Sequence, residues 1–202
     1  MEQVYIEKEE CCGCTACYAI CPTHAISMET DEKGFQYPVI DQSICIDCGL
    51  CKKVCRFSKP IDNEFDIQQF FALKHRDPEV LKNSQSGGAF TVFSDYILEN
   101  KGSVFGAFFD KDNFYIYHTK AETEEARNLQ RGSKYVQSDL NDCFLSVKKD
   151  LQVGKKVLFS GTPCQCDGLI SFLVKSKVDT KDLYVIDLIC HGVPSQKIFR
   201  DY

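Results

Sequence analysis

Cys11-Cys12-Gly13-Cys14-Thr15-Ala16-Cys17-Tyr18-Ala19-Ile20-Cys21-Pro22 and Cys45-Ile46-Asp47-Cys48-Gly49-Leu50-Cys51-Lys52-Lys53-Val54-Cys55-Arg56 are two copies of one cysteine pattern. From Cys11 and from Cys45, successive cysteines are separated by two, two and three residues, counting Cys11, Cys14, Cys17, Cys21 and Cys45, Cys48, Cys51, Cys55. The first three thiols of such a run wrap one small volume, and the fourth, a helical turn further on, points away from it. A cubane iron–sulfur cluster needs four thiolates around one volume, so each run supplies three ligands to its own cluster and one to the other. One 4Fe-4S cluster is thereby assigned to Cys11, Cys14, Cys17 and Cys55, and a second to Cys45, Cys48, Cys51 and Cys21. Gly13 and Gly49 let backbone N–H groups approach the sulfurs and tune the potential. Cys12 is surplus and reads as a small buried residue; a one-residue shift that puts it in place of Cys11 is the alternative.

Two other uses of cysteine compete with this reading. Paired Cys-x-x-Cys runs also hold structural zinc, but a zinc site takes four ligands from two pairs, and here each run already carries four cysteines. A secreted disulfide framework would suit a chain with 13 cysteines. The start, MEQVYIEKEECC, has neither the basic residues nor the apolar run of a signal peptide. The expected setting is a reducing cytoplasm, where thiolates survive as ligands.

Outward from the cysteines the pattern changes. Residues 1–58 form the cysteine-rich unit, of α+β ferredoxin-like fold. Residues 59–66, Lys59 to Asp66, are polar with one proline and read as a linker. Residues 67–202 alternate strand and helix. Residues 68–75 read as a strand, Asp77–Ser84 as a short helix opened by Asp77 and Pro78, and Ala89–Asn100 as a longer one. Residues 103–110 and 114–119 read as a strand pair turning at Lys111-Asp112-Asn113. Residues 121–132 and 138–154 read as helices. Residues 155–161 lead through a turn into a helix over 165–176, and 183–190 read as a second buried strand. This alternation predicts an α/β domain with a mainly parallel sheet. A further helix opened by Pro194 and Ser195 has barely begun at Tyr202, and the chain reads as part of a longer protein.

Charge sets limits on partners. The formal net charge is -5 with no basic tract, so nothing marks a nucleic-acid footprint. The apolar stretches are short and broken by charge, so no membrane insertion is expected.

Three glycine-containing turns stand where ligands gather. Ser84-Gln85-Ser86-Gly87-Gly88 precedes a helix, whose N–H groups and dipole suit a phosphate. Ser160-Gly161-Thr162-Pro163-Cys164 and Cys190-His191-Gly192-Val193-Pro194 each follow an apolar strand, at the carboxyl edge that ligands favour in parallel sheets. Cys164, Cys190 and His191 at one sheet edge suit redox chemistry, a further cluster or the lining of a flavin site.

The dicluster pattern joined to Ser84–Ala89 (SQSGGA), Gln130–Leu140 (QRGSKYVQSDL), Leu158–Leu169 (LFSGTPCQCDGL) and Asp187–Ser195 (DLICHGVPS) resembles the coenzyme F420 hydrogenase/dehydrogenase beta-subunit family. The resemblance implies an oxidoreductase, or a subunit of one, passing electrons between clusters and FAD. Coenzyme F420 or another small molecule would be the final donor or acceptor, with a reductase or hydrogenase subunit as partner. It implies a flavin region around Ser86, Gly87 and Gly88, around Gly132, Ser133, Lys134 and Tyr135, and around Gly161, Thr162, Pro163 and Cys164. Family members usually continue well past the Cys190-His191-Gly192 motif. An electron carrier that only docks a partner is the competing function.

Overall fold

The structure is a computed structural model that describes residues 3–5, 7–58 and 69–202. The expected linker, 59–66, lies outside the described residues.

The two cysteine runs fold as a repeat. The first leads into α1 (Ala16–Ile20) and a hairpin of β1 (Ile26–Thr30) and β2 (Gln36–Ile40); the second leads into α2 (Leu50–Val54). Gly13 and Asp47 take equivalent places and both have positive φ, 65° and 52°; Thr15 and Gly49, equivalent again, have φ of 60° and 72°. Two left-handed residues flanking the second cysteine of each run curl the backbone so that successive thiols turn to one side. Cys21 and Cys55 leave α1 and α2 in matching extended conformations.

The rest is α3 (Pro78–Lys82), α4 (Ala89–Glu99), β3 (Ser103–Asp110), β4 (Tyr115–Ala121), α5 (Glu124–Asn128), α6 (Cys143–Gln152), β5 (Val157–Gly161), α7 (Pro163–Lys175), β6 (Leu183–Asp187) and α8 (Gln196–Asp201). The sheet order is β4-β3-β5-β6, with β3–β4 antiparallel and both other pairings parallel. The hairpin turn forms where expected, with the Asp110 carboxylate accepting from the backbone of Asp112 and Asn113. Asp77 caps α3 through Glu79 N, 2.8 Å.

Four expectations are corrected. The described part of 68–75 is not a strand. Phe70 and Phe71 are 89% and 85% exposed, and a hydrogen bond from His75 N to Gly87 O, 2.7 Å, holds the segment against a loop instead of a sheet edge. The helix over 138–154 begins only at Cys143, because Asp139 first bridges to Tyr117 of β4. The helix over 121–132 is limited to α5. The strand over 183–190 ends at Asp187, and it is an edge strand rather than a buried one, with Ile189 94% exposed.

One core runs through both parts of the chain. Ala16, Cys17 and Val54 share it with Phe144 of α6, Phe159 of β5 and Leu169 and Phe172 of α7. Ser171 Oγ donates to Val54 O at 2.7 Å, tying α7 to α2. At this depth a satisfied carbonyl avoids a penalty of about 1–3 kcal/mol. The cysteine repeat is therefore held against the face of the sheet that α6 and α7 cover.

Candidate functional site

All thirteen cysteines are free thiols. Cys11 has Cys14 and Cys55 among its electrostatic neighbours, and Cys17 has Cys14, Cys11 and Cys55. Cys21, Cys45, Cys48 and Cys51 line one small cavity closed by Ile26 and Ile40. Cys11, Cys14, Cys17 and Cys55 are thus neighbours, and so are Cys21, Cys45, Cys48 and Cys51. No group of three or more His, Cys, Asp or Glu side chains among the described residues is placed to hold a metal ion as it stands. The fit to iron–sulfur clusters rests on the donor set and its topology: thiols alone, four to a group, with αL backbone at both loops. Cys12, the surplus cysteine of the first run, is half-buried. Its backbone carbonyl accepts from Gln137 Nε2 at 2.9 Å, and the residue lines a large cavity.

Beside the first quartet opens a cavity of about 870 Å³, within the range of cofactor sites. Its origin lies in the sheet. β3 pairs with β5 only from Ser103 to Phe105, and then runs on past Gly106 paired with β4 alone. The carbonyl of Ser160 takes its hydrogen bond from His118 Nε2, 3.0 Å away. Where the strands separate, a cleft forms at the carboxyl edge. Cys11 and Cys12 wall one side of it, and Gly87, Gly88, Lys134 and Cys164 line others.

Most of the expected site residues face this cavity: Ser86, Gly87, Gly88, Gly132, Ser133, Lys134, Gly161, Thr162, Cys164 and Cys190. Tyr135, Pro163 and His191 do not line it; Tyr135 is 81% exposed, and Pro163 and His191 are exposed as well. Cys164 and Cys190 share the cavity, and the Cys164 thiol lies 3.2 Å from the Thr162 hydroxyl.

The turns differ in what they offer a ligand. Gly87 is a packing glycine: a Cβ there would fall 2.0 Å from Leu73 O. Gly88, with φ of 80°, caps α4 without any side-chain partner, and Ala89 and Phe90 line the cavity. The first N–H groups of this 11-residue helix are therefore free for an anion. The start of α7 is already satisfied, since Gln165 Oε1 accepts from Thr162 N at 3.1 Å. Gly161 leaves the room for that side chain; a Cβ would fall 2.9 Å from Gln165 Oε1. Lys134 Nζ donates to Gln130 O and Arg131 O, at 2.7 and 2.9 Å. With no carboxylate beside it, burial brings its pKa down to about 8.

Two residues of the site escape a reading by motif. His118 is 7% exposed, stacks on Phe159 and lines the cavity; burial pushes its pKa down to about 4, so it is neutral. Its signal was a histidine in the same phase as Ile116 of an alternating strand. Gly168 faces Cys14 from α7, and its signal was a glycine in the middle of an apolar helix.

Residues 10–58 match the family model for the 4Fe-4S dicluster domain, and residues 154–202 match that for the C terminus of the coenzyme F420 hydrogenase/dehydrogenase beta subunit. The chain thus joins a 4Fe-4S dicluster segment to a segment that matches the C terminus of the coenzyme F420 hydrogenase/dehydrogenase beta subunit. It is 25% identical to a subunit of the F(420)H(2) dehydrogenase of Methanosarcina mazei over 97% of this chain and 59% of the relative. It is 27% identical to a coenzyme F420-dependent sulfite reductase of Methanocaldococcus jannaschii over 81% of this chain and 25% of that enzyme. A chain in the F420-reducing [NiFe] hydrogenase complex of Methanosarcina barkeri shares the fold, with a TM-score of 0.51 and 21% identity over 63% of this chain and 46% of that one. The chain thus spans between a quarter and three fifths of these relatives. No helix among the described residues is long and apolar enough to cross a membrane.

Proposed function

We propose that this chain carries electrons between two 4Fe-4S clusters and an FAD, as the electron-transfer part of a coenzyme F420-linked dehydrogenase or reductase. The observation that carries the reading is the shared wall. Cys11 and Cys12, in the loop of one quartet, also line the large cavity that the turns expected to hold flavin surround. Electron transfer depends on short separation, and this arrangement leaves no protein layer between cluster loop and cavity.

In this reading Cys11, Cys14, Cys17 and Cys55 hold the cluster near the cavity, and Cys21, Cys45, Cys48 and Cys51 hold the outer one. Residues 1–58 form the cluster unit, 59–66 the linker and 67–202 the flavin unit. The uncapped start of α4 after Gly88 holds the phosphates, with Lys134 adding positive charge. Gly106 and Ala107 leave flat space over β3, and Gly161 and Thr162 bound it. Cys164 and Cys190 lie where electrons leave the cavity, and His191 stands at its rim. When bound, the flavin supplies exchange between one-electron carriers and two-electron small-molecule chemistry. The partner is another subunit of a hydrogenase or reductase, and the setting is a reducing cytoplasm.

Anaerobic absorption spectroscopy with acid-release analysis tests this reading. Iron, sulfide and FAD together, with about eight irons per chain, are expected. Iron and sulfide without flavin would leave an electron carrier that only docks a partner. Zinc without iron would overturn the cluster assignment.

A further inference from the structure

His118 carries a buried nitrogen to which the protein gives no partner. The residue lies on β4 opposite Ala107 of β3, where β3 and β5 separate. Its ring stacks on Phe159 and lines the large cavity. Nε2 stands 3.0 Å from Ser160 O. A carbonyl oxygen only accepts, so Nε2 carries the proton. Burial keeps the ring neutral, which leaves Nδ1 a bare acceptor. No group among the described residues donates to Nδ1, and it is shut off from bulk solvent. Gln130 repeats the deficit. Its Nε2 donates to Thr119 O at 2.9 Å and to Thr119 Oγ1 at 3.2 Å, which sets the orientation of the amide. Its Oε1, buried beside Gly106 on the same cavity, has no donor. Both orphans are acceptors. A buried acceptor left unmet works against the fold, and two on one cavity mark it as built for a ligand that brings donors. That donor is neutral, because Arg131 and Lys134 line the cavity and would repel a cation.

We propose that His118 reads the imide edge of the flavin ring, its Nδ1 accepting a hydrogen bond from the ring N–H that lies between the two carbonyls. The proposal rests on the flavin reading given above. It makes His118 a specificity residue of the cavity, with Gln130 Oε1 a second point for a donor of the same ligand. The imide N–H is a neutral donor on a flat ring, and a neutral bare nitrogen in a dry wall is its complement. Gly106 and Ala107 line the cavity beside the two acceptors and carry no side chain large enough to hold a ring away from them. The bond from Nε2 to Ser160 O and the stack on Phe159 fix the imidazole from two sides, so Nδ1 is presented without reorganisation. A site built to pair with a ligand N–H rejects the analogue that lacks it, because the buried acceptor is then left unmet.

The test uses the full chain, reconstituted anaerobically with iron and sulfide and freed of flavin. Equilibrium dialysis against FAD and against 3-methyl-FAD, in which a methyl group replaces the imide hydrogen, gives two dissociation constants, with free flavin read by fluorescence. The variant is His118→Gln, whose amide nitrogen still reaches toward Ser160 O while the place of Nδ1 is left without an acceptor. The wild type should bind FAD about tenfold more tightly than 3-methyl-FAD, the worth of one hydrogen bond in a dry site. His118→Gln should bind the two alike, within about twofold, by the logic of a double-mutant cycle. His118→Phe keeps a ring on Phe159, removes both nitrogens and should behave as His118→Gln does; it stands in if the first variant fails to hold its iron. Equal affinity of the wild type for the two flavins would overturn the contact and leave the flavin reading standing. So would a preference for FAD of the same size in the wild type and in either variant, since the methyl group would then be excluded by shape alone. A wild type that holds iron and binds neither flavin would remove the flavin reading and the contact together.

Discussion

Gly168, in the middle of α7, stands directly against Cys14: a Cβ there would fall 2.8 Å from Cys14 Sγ and 2.9 Å from Cys14 Cβ. Alanine is the better helix residue by about 1 kcal/mol. The steric term runs the other way, because Cys14 is tethered in a tight loop and cannot move aside as the tip of a long side chain would. Overpacking of this kind costs about 1–3 kcal/mol. Gly168→Ala is therefore expected to lower the melting temperature and to reduce bound iron toward half, while sparing the outer quartet. Iron content and thermal unfolding, measured together, check this; full iron with a raised melting temperature would show the contact to be slack.

The outer quartet can be removed alone. Cys48 is the exposed member of the set that includes Cys21, Cys45 and Cys51. Cys48→Ser should take bound iron from about eight to about four per chain. The remaining cluster should keep its electron paramagnetic resonance signal, without the broadening that a second nearby cluster causes. Loss of both clusters would mean that the two sites fold as one unit, which the shared core of Cys17 and Val54 makes a meaningful alternative outcome.

His118 links stability to pH. Its pKa falls from an ordinary 6.5 to about 4 on burial. Between those values the unfolded chain binds more protons than the folded one. Stability therefore rises with pH across that window and is lost as pH falls from about 6.5 toward about 4. The loss between pH 7.5 and 5.5 should be about 1 kcal/mol, from roughly one unit of titration. His118→Asn should flatten this dependence. Denaturant unfolding at the two pH values, in both proteins, gives the comparison.

Much of this fold could be read from residues because local chemistry and tertiary structure agree. The cysteine spacing, the Asp77-Pro78 helix start and the Asp110–Asn113 turn each carry their own geometry. The failures have physical reasons that spacing does not encode. Phe70 and Phe71 look like strand residues, but no sheet edge is offered to them. Leu183–Asp187 reads as buried because it is apolar, yet its place in the sheet order was set by pairing with β5 alone. At the site, the glycine turns were visible, but their separate jobs were not. Gly87 serves the approach of Leu73, whereas Gly88 opens the start of α4. Gly168 meets Cys14 across 154 residues of sequence, and no local pattern registers such a contact.

Lys134 lines the cavity where an anion is expected to bind. Its ammonium is held by the carbonyls of Gln130 and Arg131, half-buried, with no acidic partner among its hydrogen bonds. A bound phosphate or flavin ring would supply the missing negative charge, and the free N–H groups of α4 would share the load. Lys134→Met is expected to weaken FAD binding by about tenfold, equivalent to about 1.4 kcal/mol. Because burial lowers the Lys134 pKa to about 8, the charge is present below that pH and is lost above it. FAD retention should accordingly fall as pH rises past about 8 in the wild type. Lys134→Arg, charged throughout, should keep its flavin at high pH where the wild type releases it. Fluorescence of released FAD after gel filtration at pH 7 and pH 9 measures all three proteins. Equal retention by wild type and Lys134→Met at pH 7 would reduce Lys134 to a clamp on its own loop and leave the start of α4 as the anion site.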